Sequence, residues 1–101
     1  MRFHKKLYLG SSIRNVGIVK WKLKHHSGQL RIFVIALSSG SDELEIYHCA
    51  FLQQRYYKKH PPYIVGIAGG YEEAVELVRQ MTVDIYAKTG DCRLKEYFLK
   101  G

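Results

Sequence analysis

The chain has 101 residues, 47% of them hydrophobic and 13% aromatic, with a formal net charge of +7. That length and apolar content fit one domain with a core of its own and exclude intrinsic disorder. No apolar run approaches the ~18 residues of a membrane helix, and the first ten residues, MRFHKKLYLG, hold no apolar core of the length a secretory signal uses.

In chain order, Leu7-Tyr8-Leu9 before Gly10 reads as a short strand or an anchoring segment. From Ser12 to Gly28 two patterns compete. Ile13, Val16, Val19 and Leu23 share a helical face, with Ser12 placed as a cap and basic residues in the last turn. Yet Val19 to Lys24 alternates strictly, as a half-buried strand with a lysine face would, and Ser27-Gly28 suits a hairpin turn. The helix is preferred because both its ends are marked.

Leu30–Leu37 predicts a strand apolar on both faces: Ile32, Val34 and Ala36 one way, Phe33, Ile35 and Leu37 the other. A loop of turn residues, Ser38–Asp42, leads to a second strand, Leu44–His48, with Leu44, Ile46 and His48 on one face and Glu45 and Tyr47 on the other. Cys49–Lys59 predicts a short helix with Phe51, Leu52 and Tyr56 inward, stopped by Pro61-Pro62.

The plainest signal is His60–Gly90. Tyr63–Ala68 is a short apolar run bounded by Pro61-Pro62 and Gly69-Gly70, the mark of a buried strand. A helix over 71–89 follows, with Ala74, Leu77, Val78, Met81 and Ile85 at helical spacing. Glu72 and Glu73 stand at its positive end, Lys88 near its negative end, and Gly90 is set to close it. Leu94, Tyr97 and Phe98 predict a last short docked helix. The expected fold is a single α+β domain over 1–101, with a small mixed or antiparallel sheet of three to four strands and helices mainly on one face. An exposed second face beside the doubly apolar strand would then be shared between two copies, so a homodimer is expected.

Charge is distributed unevenly. Residues 1–41 hold eight bases (Arg2, Lys5, Lys6, Arg14, Lys20, Lys22, Lys24 and Arg31) and no acid, while residues 42–101 hold eight bases and nine acids. Such asymmetry points to an acidic partner, either nucleic acid or an acidic protein surface, or else to a solvated face that keeps the chain soluble. The segment Arg55–Tyr63 interleaves tyrosines with cations, as proteins that bind single strands do. The candidate binding surface is therefore Lys20, Lys22 and Lys24 with Tyr57, Lys58, Lys59 and His60. The competing reading of the second group is a helix end carrying its usual cations.

Catalytic and metal chemistry find little footing. Gly66-Ile-Ala-Gly69-Gly70 matches neither the dinucleotide nor the phosphate-loop spacing, and two glutamates follow it, so it reads as a tight turn. His25-His26 and His48-Cys49 are adjacent pairs that diverge on any regular element, and no HxxxH or CxxC occurs. No cofactor and no metal is expected. Glu45 and His48 fall on opposite strand faces. An enzyme would need a scattered site around Cys49 and His48, and nothing in the spacing recommends one. With no export signal, Cys49 and Cys92 are expected as reduced thiols in a cytoplasmic protein.

The stretch LEIYHCAFLQQRYYKKHPPYIVGIAGGYEEAVELV resembles a family of small single-domain proteins of no known activity from anaerobic Gram-positive bacteria. Their shared pattern is an apolar strand, LEI, a Leu-Gln/Tyr-Tyr segment, a VGxAG turn and an EEAxxLV helix. The resemblance covers residues 30–90. It implies a cytoplasmic single-domain protein and contributes no catalytic residue. The sequence thus leads to a non-enzymatic binding or adaptor domain that self-associates, with nucleic-acid binding as the alternative.

Overall fold

The computed structural model describes residues 2–24, 31–37, 43–53, 56, 59–60, 62–90 and 93–100. In chain order they form β1 (Arg2–Leu9), α1 (Val16–Lys24), β2 (Phe33–Leu37), β3 (Leu44–His48), a 3₁₀ turn (Cys49–Gln53), β4 (Tyr63–Ala68), α2 (Tyr71–Thr89) and α3 (Leu94–Lys100). The strands make one mixed sheet in the order β1-β4-β2-β3. β2 runs antiparallel to both its neighbours, and β1 lies parallel to β4 along the edge. This is the small α+β fold the sequence predicts.

The apolar periodicities become two cores, one on each face of the sheet. On one face Ala74, Leu77, Met81 and Ile85 of α2, with Leu94 and Phe98 of α3, close over Ile35, Val65 and Ala68. On the other, Leu23 of α1 and Leu52 of the 3₁₀ turn cover Val34, Ala36, Ile64 and Ile67. Each large side chain so buried contributes about 1.5–3 kcal/mol from water exclusion. The second face, expected to be left open, is covered by α1. Val34, Ile35 and Ala36 are all 0% exposed within the single chain, which removes the reason for expecting a second copy against this strand.

A bulge lets β4 serve both cores. Ile35 pairs with Gly66 and Ala36 with Ile64, so Val65 is the extra residue. Val65 belongs to the α2-side core, and a Cβ at Gly66 would point the same way, 3.2 Å from Ile35 Cδ1 and 3.4 Å from Leu77 Cδ2. Ile64 and Ile67, three apart, consequently share the α1 side. On the outer edge β1 slips further: Phe3 pairs with Ile64 but Tyr8 with Gly66. Within that slip Lys5 and Lys6 stand exposed, which blunts an edge that could otherwise pair with another strand.

Several boundaries differ from the sequence reading. β1 is an eight-residue strand rather than a short one. Residues 16–24 are helical, and the cap is Asn15, not Ser12: the Ile18 N–H donates to Asn15 Oδ1 at 3.1 Å. β2 begins at Phe33, with Leu30 outside the described residues. After β3 the chain makes a 3₁₀ turn over Cys49–Gln53, in which Leu52 is buried but Phe51 is exposed. Tyr56 is 59% exposed instead of packed inward, its ring tilted against that of His60 at 4.8 Å. The loop 38–42, the doublet His25-His26 and Cys92 lie outside the described residues. β4 and α2 occupy the predicted spans, and Gly90 ends α2 at φ 80°, donating to the Tyr86 carbonyl at 2.7 Å.

Candidate nucleic-acid interface

α1 lies on the sheet because Val16, Val19 and Leu23 recur on one of its faces and meet Ile64 and Ile67. Residues advance ~100° around a helix, so Lys20 and Lys24 fall together on the flank of α1. β1 presents Phe3 to that same face of the sheet. Lys20 Nζ stands 5.4 Å and Lys24 Nζ 5.7 Å from the Phe3 ring centroid, within cation–π range. Lys22 is exposed and about 180° from the midpoint of that pair, on the opposite flank.

The outer edge of the sheet carries further cations. Arg2, Lys5 and Lys6 are exposed along β1, and the Arg2 guanidinium lies 5.0 Å from the centroid of the Tyr63 ring, on the side of the sheet that α2 and α3 cover. The described acids are elsewhere. Glu43 and Glu45 flank and occupy β3, at the far edge of the sheet; Glu72, Glu76 and Asp84 belong to α2, and Glu96 to α3, across the sheet from α1, while Glu73 of α2 is held at the β1–α1 loop, before α1 begins. Two ion pairs, Arg79–Glu76 at 2.6 Å and Arg93–Glu96 at 3.5 Å, are local to that acidic side. The eight-base excess is therefore drawn largely onto β1 and α1.

Of the second group of candidates, Tyr57 and Lys58 lie outside the described residues. Lys59 and His60 are exposed. Tyr63 is registered opposite Arg2, and three residues of chain span at most about 11 Å, so His60 lies near the Arg2–Phe3 end of β1. The spacing did not single out Phe3, Arg2, Lys5 and Lys6. Their place on the sheet edge comes from the parallel pairing of β1 with β4, which no local pattern announces.

The glycine-rich turn after β4 is filled from within. Glu73, in the first turn of α2, reaches back to accept from Gly69 N–H at 2.5 Å, Ser12 Oγ at 2.8 Å, Ser12 N–H at 3.1 Å and Ser11 Oγ at 3.3 Å. Burial raises its pKa, but the bonds from Gly69, Ser12 and Ser11 outweigh it and hold the carboxyl below its ordinary value. The turn thus ties the β1–α1 loop to α2.

His4 is the polar residue buried within the described structure, 6% exposed. Its Nδ1 is hydrogen-bonded to the Tyr63 hydroxyl at 3.0 Å and its ring meets Phe98 edge-on at 5.0 Å. Burial, then Lys6 and Lys5, lower its pKa. On β3, His48 Nδ1 accepts from Ala50 N–H at 3.1 Å and its ring lies edge-on to Phe33, while Glu45 accepts from the Tyr47 hydroxyl at 2.6 Å. Cys49 packs at the margin of the α1-side core. Among the described residues no three metal-binding side chains gather, and no helix is long and apolar enough to cross a membrane.

The fold defines a four-stranded mixed α+β domain with a cationic edge. Comparison with known proteins finds no family model that matches the chain, and no curated protein or solved structure with significant similarity.

Proposed function

We propose that the protein is a non-enzymatic cytoplasmic binding domain whose partner is nucleic acid, engaged through the cationic surface of β1 and α1. The observation that supports this reading most is the convergence of Lys20 and Lys24 on one aromatic ring, with the described acids placed elsewhere. Two ammonium groups gathered with no carboxylate between them among the described residues repel one another, and a phosphate between them would relieve that repulsion. Lys5 and Lys6 add exposed cations on the same edge strand. A surface of this kind neutralises several phosphates, and binding then weakens steeply with salt.

The test is fluorescence anisotropy of labelled DNA and RNA oligonucleotides at several salt concentrations. Four phosphate contacts predict a slope of log affinity against log salt near −3, at about 0.7–0.9 per contact. The double charge reversal Lys20→Glu/Lys24→Glu should weaken binding at least tenfold and flatten the slope by about 2. Absence of binding at low salt, or binding indifferent to that reversal, would overturn the reading.

A further inference from the structure

Beside the lysines, α1 also carries an exposed aromatic side chain. Trp21 is the one tryptophan of the chain and stands 56% exposed on α1. Tryptophan is normally among the more buried residue types. Its angular position, at ~100° per residue, is opposite the Val16–Val19–Leu23 stripe that holds α1 to the sheet. Lys20 and Lys24, one residue before it and three after, lie on one flank, and Lys22 on the other. Ile18, 53% exposed, stands one turn earlier on the same outward face.

We propose that this face takes single-stranded rather than duplex nucleic acid, with a base stacked on the Trp21 indole and the adjoining phosphates on Lys20 and Lys24. The inference rests on the nucleic-acid reading above and narrows it. A duplex keeps its bases paired and stacked, so it offers the indole no open base face, and the indole should add little to duplex affinity. In a single strand every base has an open face, and stacking on an aromatic side chain tolerates any sequence. The lysines are preset for this arrangement: their contacts with Phe3 hold both ammonium groups toward β1, where a backbone can run alongside a base lying over α1.

The experiment compares a labelled 15-mer of thymidine with a duplex of equal length, by anisotropy, on the wild type, Trp21→Ala and Lys20→Glu/Lys24→Glu. Because the chain has one tryptophan, quenching of wild-type emission reports independently on the indole. Single-strand binding should be at least tenfold tighter than duplex binding and should quench Trp21. Trp21→Ala should cost the single strand about tenfold, within the range for one stacked base, and change duplex affinity less than twofold; Trp21→Phe should restore part of the loss. Circular dichroism showing unchanged helix content in the variants assigns the loss to the contact. Equal affinity for both forms, with Trp21→Ala neutral and Lys20→Glu/Lys24→Glu damaging, would overturn the stacking inference and leave the phosphate-binding face standing. No binding of either oligonucleotide, with quenching by anionic vesicles, would overturn both.

Discussion

Replacing Glu73 by alanine tests the contact that joins the two halves of the sheet's rim. The carboxylate accepts hydrogen bonds from Gly69, Ser12 and Ser11. Gly69 N–H is partly buried, and leaving it without an acceptor costs about 1–2 kcal/mol. Removing a negative charge from the first turn of α2 adds about 0.3–1 kcal/mol. The serine donors are exposed, so water replaces the carboxylate there and little more is lost. The expected destabilisation is about 2 kcal/mol, or about 8–16 °C in Tm for a domain of this size, measured by urea and thermal unfolding at pH 7.

Gly10 supplies the control: a Cβ there would overlap the Glu73 carboxylate. Gly10→Ala should therefore act by evicting Glu73, destabilising the wild type but costing little once Glu73→Ala is present. The pH dependence has a definite sign. A carboxyl held below its ordinary value contributes stability above pH ~4.5 and loses it as pH falls through the folded value. The gap between wild type and Glu73→Gln should accordingly close in acid. A Glu73→Ala cost under about 0.5 kcal/mol, or full additivity with Gly10→Ala, would refute the reasoning.

Two further perturbations probe the opposite end of the sheet. His4 has a lowered pKa, so below pH ~6.5 the unfolded chain takes up a proton that the fold resists, and stability falls until the folded value is passed. His4→Gln should flatten that part of the Tm–pH curve, and an unchanged curve would remove His4 as its cause. Phe98, 1% exposed, packs its ring against His4, Tyr8 and Tyr97. Phe98→Ala should cost about 3–5 kcal/mol by urea unfolding, whereas a loss below about 1 kcal/mol would mean that α3 is not part of the core.

The elements legible in the sequence are those specified by their own residues. Tyr63–Ala68 and 71–89 were readable because prolines, glycines and glutamates mark their ends and the apolar spacing changes cleanly from strand to helix. The apolar run of β2 marked both of its faces as buried, but not that α1 of the same chain covers the second. Ser12 looked like a helix cap and instead holds Glu73, 61 positions away; nothing near Ser12 announces that partner. The lysines interrupting MRFHKKLYLG concealed an eight-residue strand, because the slip that exposes Lys5 and Lys6 depends on β4. For the site, the charge asymmetry was plain, but its gathering around Phe3 is a tertiary fact. Tyr56 illustrates the opposite limit: helical spacing suggested an inward ring, and the chain places it outward.

The pairing of the first strand with the fourth has a consequence for how the molecule is made. The sheet partner of β1 is β4, about sixty residues later in the chain, a contact of high sequence separation, and such contacts slow folding because a long loop must close first. The N-terminal third of a growing chain already contains the lysines, yet the edge they occupy has no neighbour until Ala68 has been added. Fragments ending earlier would retain the charge without the ordered surface, which would arise only late in synthesis.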